Sequence, residues 1–187
     1  MKRQLAAWLQ RSAFLRWGLR LGVYLFIPRQ HVGVVGALFN EAGQVLLVEH
    51  VFRSHFPWGL PGGWIGRGED PALAVQREFV EELGLEIVVK QLLLCRPQGG
   101  RTGVPPGLGL AYYCRLPDNG AAPVDFTVMG RDYEILSAAW FDPTQINQPL
   151  TPIDRQAIEL AKAAFNRERP HYQETASASG NENENGL

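Results

Sequence analysis

Short apolar runs, separated by polar and glycine-containing segments, recur through the middle of the chain. They are rich in β-branched and aromatic residues and bounded by turn residues, so each run predicts a β-strand. The first two are separated only by NEAG, which predicts two strands joined by a tight turn. The five runs are HVGVVGALF from His31, QVLLVEHV from Gln44, EIVVKQLLLCR from Glu86, LGLAYYCRL from Leu108 and ILSAAWF from Ile135.

Two further segments have the signals of helix ends. Asp70 is followed by proline, a typical N-cap and first-turn pair, and Gly84 supplies a stop, so a helix is predicted over residues 71–83. Thr151, also followed by proline, predicts the start of a last helix. Its apolar face would comprise Ile153, Ala157, Leu160, Ala161 and Ala164. Strands with helices between them predict an α/β or α+β sandwich whose mixed sheet is covered on both faces.

The two ends of the chain differ in composition from this alternating middle, so three segments are predicted. Residues 1–29 form a basic, apolar helical extension, and the first 40 residues contain no acid at all. Residues 30–166 form the folded domain. Residues 167–187 end in a Gly/Asn/Glu-rich run with almost no large apolar residue, which predicts a disordered tail.

The N-terminal extension is open to two interpretations. Its longest unbroken apolar run, LGVYLFI from Leu21, is far shorter than the roughly 20 residues of a membrane span, and no small-residue cleavage site follows it. Apolar residues lie on two sides of the predicted helix. Either this helix packs on its own domain or across a homodimer, or its basic, aromatic-rich surface rests on an anionic membrane.

Composition and charge narrow the class of protein. The 187 residues, 45% of them hydrophobic, are enough for one ordinary globular domain. With 18 basic and 19 acidic residues the formal charge is −1, so no nucleic-acid polymer is expected as a partner. Cys95 and Cys114 are too few for a disulfide framework and stand in no zinc-ligand pattern. They predict reduced thiols and a cytoplasmic protein.

An acidic cluster around the first predicted helix departs from this neutral balance. Glu78, Glu81 and Glu82 share one solvent-facing side of the helix, beside an apolar side that packs on the sheet. Like charges at this spacing, near a helix C-terminus, each destabilise the helix by a few tenths of a kcal/mol. One interpretation is a solvated acidic face relieved by Arg77. The other is a Mg²⁺ or Mn²⁺ site, favoured by the glycine-rich segment LPGGWIGRGE directly before the helix.

Around this cluster the sequence resembles the Nudix box, G-x5-E-x7-R-E-U-x-E-E-x-G-U, in which U is a bulky apolar residue. Every fixed position matches. Phe79 stands where the family usually has Ile, Leu or Val, but it remains apolar and is predicted to point toward the sheet. The matching residues are Gly63, Glu69, Arg77, Glu78, Phe79, Glu81, Glu82, Gly84 and Leu85.

This resemblance implies a Nudix-like α/β/α sandwich with a mixed β-sheet. It implies metal-dependent hydrolysis of a pyrophosphate bond in a nucleoside diphosphate linked to another moiety, such as a nucleoside triphosphate or a nucleotide-sugar-like substrate. Glu78, Glu81 and Glu82 would bind Mg²⁺ or Mn²⁺, and one of them is a candidate base. Arg77 would orient a glutamate, and Glu69 would support the loop and helix or assist the metal site.

Further candidates lie outside the box. Asp132 and Glu134 precede the last predicted strand, and Glu134 is the preferred general base, with an ordinary loop acid as the alternative. Phe56, Trp58 and Trp64 are candidates for stacking on a nucleobase, with core packing or an interface as the alternative. Arg101 is a candidate phosphate contact.

The sequence is also compatible with two other functions. The first is a catalytically silent nucleotide-binding or regulatory module, although none of the box carboxylates is lost. The second is a membrane-surface enzyme, held by its first 29 residues, that acts on a lipid-linked diphosphate.

Overall fold

The computed structural model describes residues 13–26, 30–99, 105–117 and 134–180. The described helices are α1 (Ala13–Phe26), α2 (Pro71–Leu83) and α3 (Pro152–Gly180). The described strands are β1 (His31–Phe39), β2 (Val45–His50), β3 (Trp58–Gly59), β4 (Gly62–Trp64), β5 (Val88–Gln98), β6 (Gly107–Arg115) and β7 (Ile135–Phe141).

The strands form one mixed sheet with β1 near its centre. The main path runs β3-β2-β1-β6-β5, while β4 pairs with β1 and β7 pairs with β2. β1 and β6 are parallel, with His31 opposite Gly107, and the other pairs are antiparallel. The antiparallel pairing of β1 and β2 across residues 40–44 confirms the predicted turn.

Each face of the sheet carries a separate apolar core. Alternate side chains of β2 point to opposite faces, so Leu46 and Leu47 belong to different cores. Helix α2 covers one face with Val75 and Phe79, and α3 covers the other with residues that include Phe165. This arrangement confirms the α/β class and the predicted mixed sheet with helices on both faces.

Helix α1 belongs to a separate compact unit, Met1–Gln30, and the sheet with α2 and α3 belongs to the unit His31–Leu187. Large side chains of α1 are exposed, among them Phe14, Trp17 and Tyr24. Across the parts of the chain that the structure describes, every helix is too short or too polar to cross a membrane.

The sequence located the main elements but missed two short strands. The segment predicted to be a glycine-rich turn contains β4, and β3 lies just before it. The last helix also continues to Gly180, so a helix occupies residues 167–180, where disorder was predicted. The arginines, glutamates and alanines of that stretch, together with Gln173, favour helix, and residues 181–187 lie outside the described part. The domain limits 30–166 remain a prediction.

Candidate active site

Helix α2 is held in place at both ends and along one side. Asp70 caps its N-terminus, where Oδ1 accepts a hydrogen bond from the Ala72 N–H at 2.8 Å. Gly84 ends it in the left-handed conformation, with φ of 64°. The buried side, which includes Val75 and Phe79, packs on the sheet as predicted, so the helix presents its glutamates in a fixed orientation.

The loop before α2 brings backbone unusually close to both the sheet and the helix. Gly62 has φ of 149°, and a Cβ there would lie 2.1 Å from the Val34 carbonyl oxygen. A Cβ on Gly63 would lie 2.5 Å from the carboxyl carbon of Glu78. Glycine at both positions therefore lets β4 pair with β1 while the Glu78 carboxylate rests on the backbone.

Arg77 connects this loop to the acidic helix. Its Nε and Nη2 donate to the two oxygens of Glu69 at 2.8 and 3.1 Å, and Nη2 also donates to the Trp64 carbonyl at 3.0 Å. Its Nη1 donates to Glu78 at 2.8 Å and to Glu81 at 2.9 Å. One guanidinium thus holds three box carboxylates and the end of β4.

These contacts act differently on the carboxyl groups of Glu69 and Glu78. Hydrogen bonds from Arg77 and from the Gly66 N–H lower the pKa of Glu69. Burial raises the pKa of Glu78, and the neighbouring Arg77 opposes that rise. The hydrogen bonds that Arg77 donates, chiefly those to Glu69, raise the pKa of Arg77, which stays charged. An additional cation would therefore stabilise the charged form of Glu78 more than that of Glu69.

Glu82 is buried, which corrects the prediction that it faces solvent. The residue is 9% exposed, and Oε2 accepts a hydrogen bond from the Gly62 N–H at 3.1 Å. The loop folds over this part of the helix because Gly62 approaches β1 so closely. Glu82 is thereby fixed by backbone, whereas Glu78 and Glu81 are fixed by Arg77.

A cavity of about 410 Å³ opens beside the helix. Glu78, Glu82 and Glu134 all line it, so the preferred base candidate, which directly precedes β7, borders the same space as two box glutamates. Glu81 is ion-paired with Arg77 but does not line this cavity. The volume of the cavity suits a small molecule.

Of the residues predicted to contact substrate, only some line the cavity. Trp58 packs edge-on against Phe141, with ring centroids 5.1 Å apart, and lies against the core under α3. Neither it nor Phe56 lines the cavity, and the position of Trp58 matches the alternative of core packing. Trp64 does line it. Arg101 and Asp132 lie outside the described residues.

The box carboxylates fit a divalent cation in donor type and position. Carboxylate oxygens are ligands that Mg²⁺ and Mn²⁺ prefer, and Glu78 and Glu82 present them at one cavity wall. Among the described residues, no three His, Cys, Asp or Glu side chains are grouped as a ready metal site. The hydrogen bonds explain this, because Arg77 and the Gly62 N–H draw the glutamates in different directions.

The cavity wall also includes polar side chains that sequence reasoning missed. His50, Arg53, Thr151 and Asp154 line the cavity. His50 ends a strand, Arg53 lies in the following loop, and Asp154 is in the first turn of α3. The only sequence signal was the Thr-x-x-Asp pattern of a capping box, which predicts a helix start and no cavity.

A comparison with family models supplies the classification. The NUDIX domain model matches residues 29–161. The chain belongs to the Nudix family. The box glutamates at the cavity wall are thus the Nudix motif of this domain.

Known Nudix proteins resemble the chain in sequence and fold. "Nucleoside diphosphate-linked moiety X motif 6" of Xenopus laevis is 34% identical over 112 residues, covering 59% of this chain and 49% of that protein. An RNA pyrophosphohydrolase of Dinoroseobacter shibae is 28% identical over 148 residues, 73% of this chain and 91% of that one. The crystal structure of the MutT NUDIX hydrolase from Burkholderia pseudomallei has a TM-score of 0.55 and 26% identity, covering 71% and 98%. The chain thus spans about half the length of the Xenopus relative.

Proposed function

We propose that this Nudix domain hydrolyses a pyrophosphate bond in a nucleoside diphosphate linked to another moiety, using Mg²⁺ or Mn²⁺. The observation that carries the proposal is the position of Glu78, Glu82 and Glu134 on one cavity of about 410 Å³. Two of these are box glutamates held by Arg77 and by the Gly62 N–H. Relatives named as pyrophosphohydrolases support the same reaction class.

Glu78, Glu81 and Glu82 are the proposed ligands of the cation. When bound, a divalent cation neutralises the diphosphate and lowers the pKa of water. Arg77 holds Glu78 and Glu81, the Gly62 N–H orients Glu82, and a bound cation would draw their oxygens together. Glu134 is the proposed base: it takes a proton from the water whose oxygen bonds to phosphorus while the bond to the bridging oxygen breaks.

The proposed substrate is a nucleoside triphosphate or a nucleotide-sugar-like diphosphate. A panel of these compounds, with Mg²⁺ or Mn²⁺ and an EDTA control, tests it by product release. A 5′-triphosphorylated RNA belongs in the panel because one relative is named as an RNA pyrophosphohydrolase. Metal-dependent turnover of one class supports the proposal. A folded protein that binds metal but turns over nothing favours the catalytically silent nucleotide-binding module.

Glu82→Gln separates catalysis from folding. We expect turnover to fall about 100-fold or more, since a ligand charge is lost, while the amide oxygen can still accept from the Gly62 N–H. Glu86→Gln is the matched control, because Glu86 is exposed and lies outside the cavity wall. The rise in melting temperature on adding Mg²⁺ should disappear only in Glu82→Gln. Unchanged turnover in that variant would contradict the metal-site assignment.

We also propose that the cytoplasmic enzyme rests on an anionic membrane surface through α1, where a lipid-linked diphosphate would be within reach. Phe14, Trp17, Leu21, Tyr24 and Leu25 lie within roughly 100° of one another around the helix, and all are exposed. Arg20 borders this arc, and the surrounding sequence is basic without an acid. Such a surface suits headgroups with negative charge.

Co-sedimentation of the full chain with vesicles tests the membrane proposal. The full chain should bind phosphatidylserine-containing vesicles but bind neutral vesicles weakly. Replacing both Trp17 and Tyr24 by Ser should abolish binding, whereas Leu136→Ser, which removes an exposed apolar side chain from β7, should not. Equal sedimentation of all three proteins would reject α1 as the membrane contact and leave dimer packing as its role.

A further inference from the structure

The guanidinium of Arg77 uses all five of its N–H donors and divides them between two groups of acceptors. Nε and Nη2 donate to the two oxygens of Glu69 and to the Trp64 carbonyl, at 2.8 to 3.1 Å. Nη1 donates to two carboxylates, at 2.8 Å to Glu78 and at 2.9 Å to Glu81. One half of the group therefore faces the loop before α2, and the other half faces two of the proposed metal ligands.

The half of the guanidinium that faces the loop is firmly held. Its two parallel N–H···O bonds to one carboxylate are among the strongest contacts that arginine makes. Glu69 also accepts from the Gly66 N–H at 2.6 Å, so backbone fixes this carboxylate as well. The Trp64 carbonyl belongs to β4, which pairs with β1. These contacts keep Arg77 in place even when Nη1 has no partner.

The half that faces α2 occupies a position that suits a cation. Nη1 lies between oxygens of Glu78 and Glu81, as a metal ion would, but its contacts of 2.8 and 2.9 Å are longer than an Mg²⁺–oxygen bond of about 2.0–2.1 Å. The hydrogen bonds thus leave these two oxygens further apart than a metal would. Arg77 also sets one positive charge against the three carboxylates that it contacts. When all three are ionised, two negative charges remain for a divalent cation to balance.

Two roles of Arg77 predict opposite effects on metal affinity. If the guanidinium only orients Glu78 and Glu81, its loss would disorder these ligands and weaken the binding of a cation. If Nη1 takes the place of the cation, its loss would strengthen binding, because the metal would no longer compete with Nη1 or be repelled by its charge. The geometry favours the second role, since Nη1 contacts the ligand oxygens themselves and the loop contacts do not depend on it.

We infer that Nη1 of Arg77 is a stand-in cation, which pairs with Glu78 and Glu81 until a divalent cation binds and then releases them. Nε and Nη2 stay on Glu69 throughout, so the exchange requires no movement of the loop. This contact keeps the acidic helix paired without metal and lowers the metal affinity, so the site fills only at higher metal concentrations. The inference rests on the proposed function, because it concerns the cation that the same glutamates would bind.

Binding of Mn²⁺ alone tests this role without requiring catalysis. Titration calorimetry of the full chain without substrate measures the affinity, and the paramagnetic resonance signal of free Mn²⁺ checks it. We expect Arg77→Gln to bind Mn²⁺ about threefold or more tightly than the unaltered protein. Arg67→Gln is the matched control, since it removes the same charge from an exposed position in the loop before α2. Its Mn²⁺ affinity should change by less than about twofold.

Nuclear magnetic resonance of the unaltered protein gives a second measurement that does not depend on the folding of a variant. On saturation with Mg²⁺, the Nη1 protons of Arg77 should exchange faster with solvent, because they lose Glu78 and Glu81. The Nε proton should keep its slow exchange, because Glu69 still accepts from it. A melting curve in EDTA shows whether Arg77→Gln is folded.

The possible results separate this inference from the proposed function. Unchanged or weaker Mn²⁺ binding in Arg77→Gln would mean that Arg77 only orients its neighbours and would overturn the inference. So would Nη1 protons that exchange no faster in Mg²⁺. An unaltered protein that binds no Mn²⁺ would overturn the inference and the proposed metal ligands together. Tighter binding in Arg77→Gln, without turnover of any pyrophosphate by the unaltered protein, would contradict the proposed function alone.

Discussion

The backbone at Gly63 lies so close to the carboxyl group of Glu78 that no side chain fits between them. A Cβ there would lie 2.5 Å from both the carboxyl carbon and Oε1, so Gly63→Ala must displace Glu78. Because Gly63 is half-buried and its Cβ would meet only the end of a flexible side chain, the fold should tolerate the shift. We expect kcat/KM to fall about tenfold or more, the size that a misplaced ligand or outer contact produces.

Steady-state kinetics with saturating Mg²⁺ measure this effect. Gly22→Ala is the matched control, since a Cβ at Gly22 in α1 meets nothing within 4 Å, and its kcat/KM should equal that of the unaltered protein. Full activity of Gly63→Ala would mean that the observed position of Glu78 is irrelevant to turnover.

Individual site residues differed in how far the sequence could locate them. The box glutamates follow a helical spacing, so local periodicity places them together. Burial of Glu82 depends on Gly62 folding over it from twenty positions away, which no helical pattern contains. For Trp58 the sequence left stacking and core packing open, and its ring packs on Phe141 from a distant strand. Residues whose roles depend on long-range packing were the ones that sequence reasoning misplaced or missed.

Between elements, the spacing of α2 from β1 depends on Gly36. A Cβ on Gly36 would lie 2.5 Å from the buried ring of Phe79 and 3.0 Å from Val75, both rigid core groups. Gly36→Ala should therefore push the helix outward and lower the free energy of unfolding by about 1–3 kcal/mol. Urea denaturation followed by tryptophan fluorescence measures the change.

The same strand offers the control for this prediction. A Cβ on Gly33 meets only the flexible end of Gln98, at 2.7 Å, so Gly33→Ala should destabilise by less than half as much. Equal losses in the two variants would indicate that strand propensity, and not the packing of Phe79, determines the result.

Whole elements were predictable where their signals are local. Asp70 and Gly84 bound α2 at the predicted residues because caps act within a few positions. β3 and β4 were missed because strands as short as Trp58–Gly59 carry no periodicity. Their pairing with β2 and β1 is what defines them.

For the molecule as a whole, His50 links folding stability to pH. Its pKa falls from 6.5 to about 3 because burial, and then Arg53, disfavour the charged ring. Below pH 6.5 the unfolded chain binds a proton at His50 that the folded protein does not bind. The stability present above pH 6.5 is therefore lost progressively as the pH falls toward 3. The loss from pH 7 to pH 5.5 should be about 1 kcal/mol.

Urea unfolding at several pH values tests this linkage. His50→Gln cannot titrate, so its stability should fall by about 1 kcal/mol less than that of the unaltered protein over the same interval. His31→Gln, at an exposed position, should keep the original dependence. Identical pH profiles for the unaltered protein and His50→Gln would show that His50 is not held neutral by the fold.

Strand β5 has consequences for self-association, because it ends the main path of the sheet with one side unpaired among the described strands. An open strand edge can recruit the same edge of another chain and start aggregation. Here the pairing with β6 shifts register between Val89 and Gln91 and again between Leu92 and Leu94, and Pro97 lacks an N–H to donate. Lys90 and Arg96 add exposed charge. The irregular backbone and positive charge of this edge therefore disfavour pairing with a strand of a second chain.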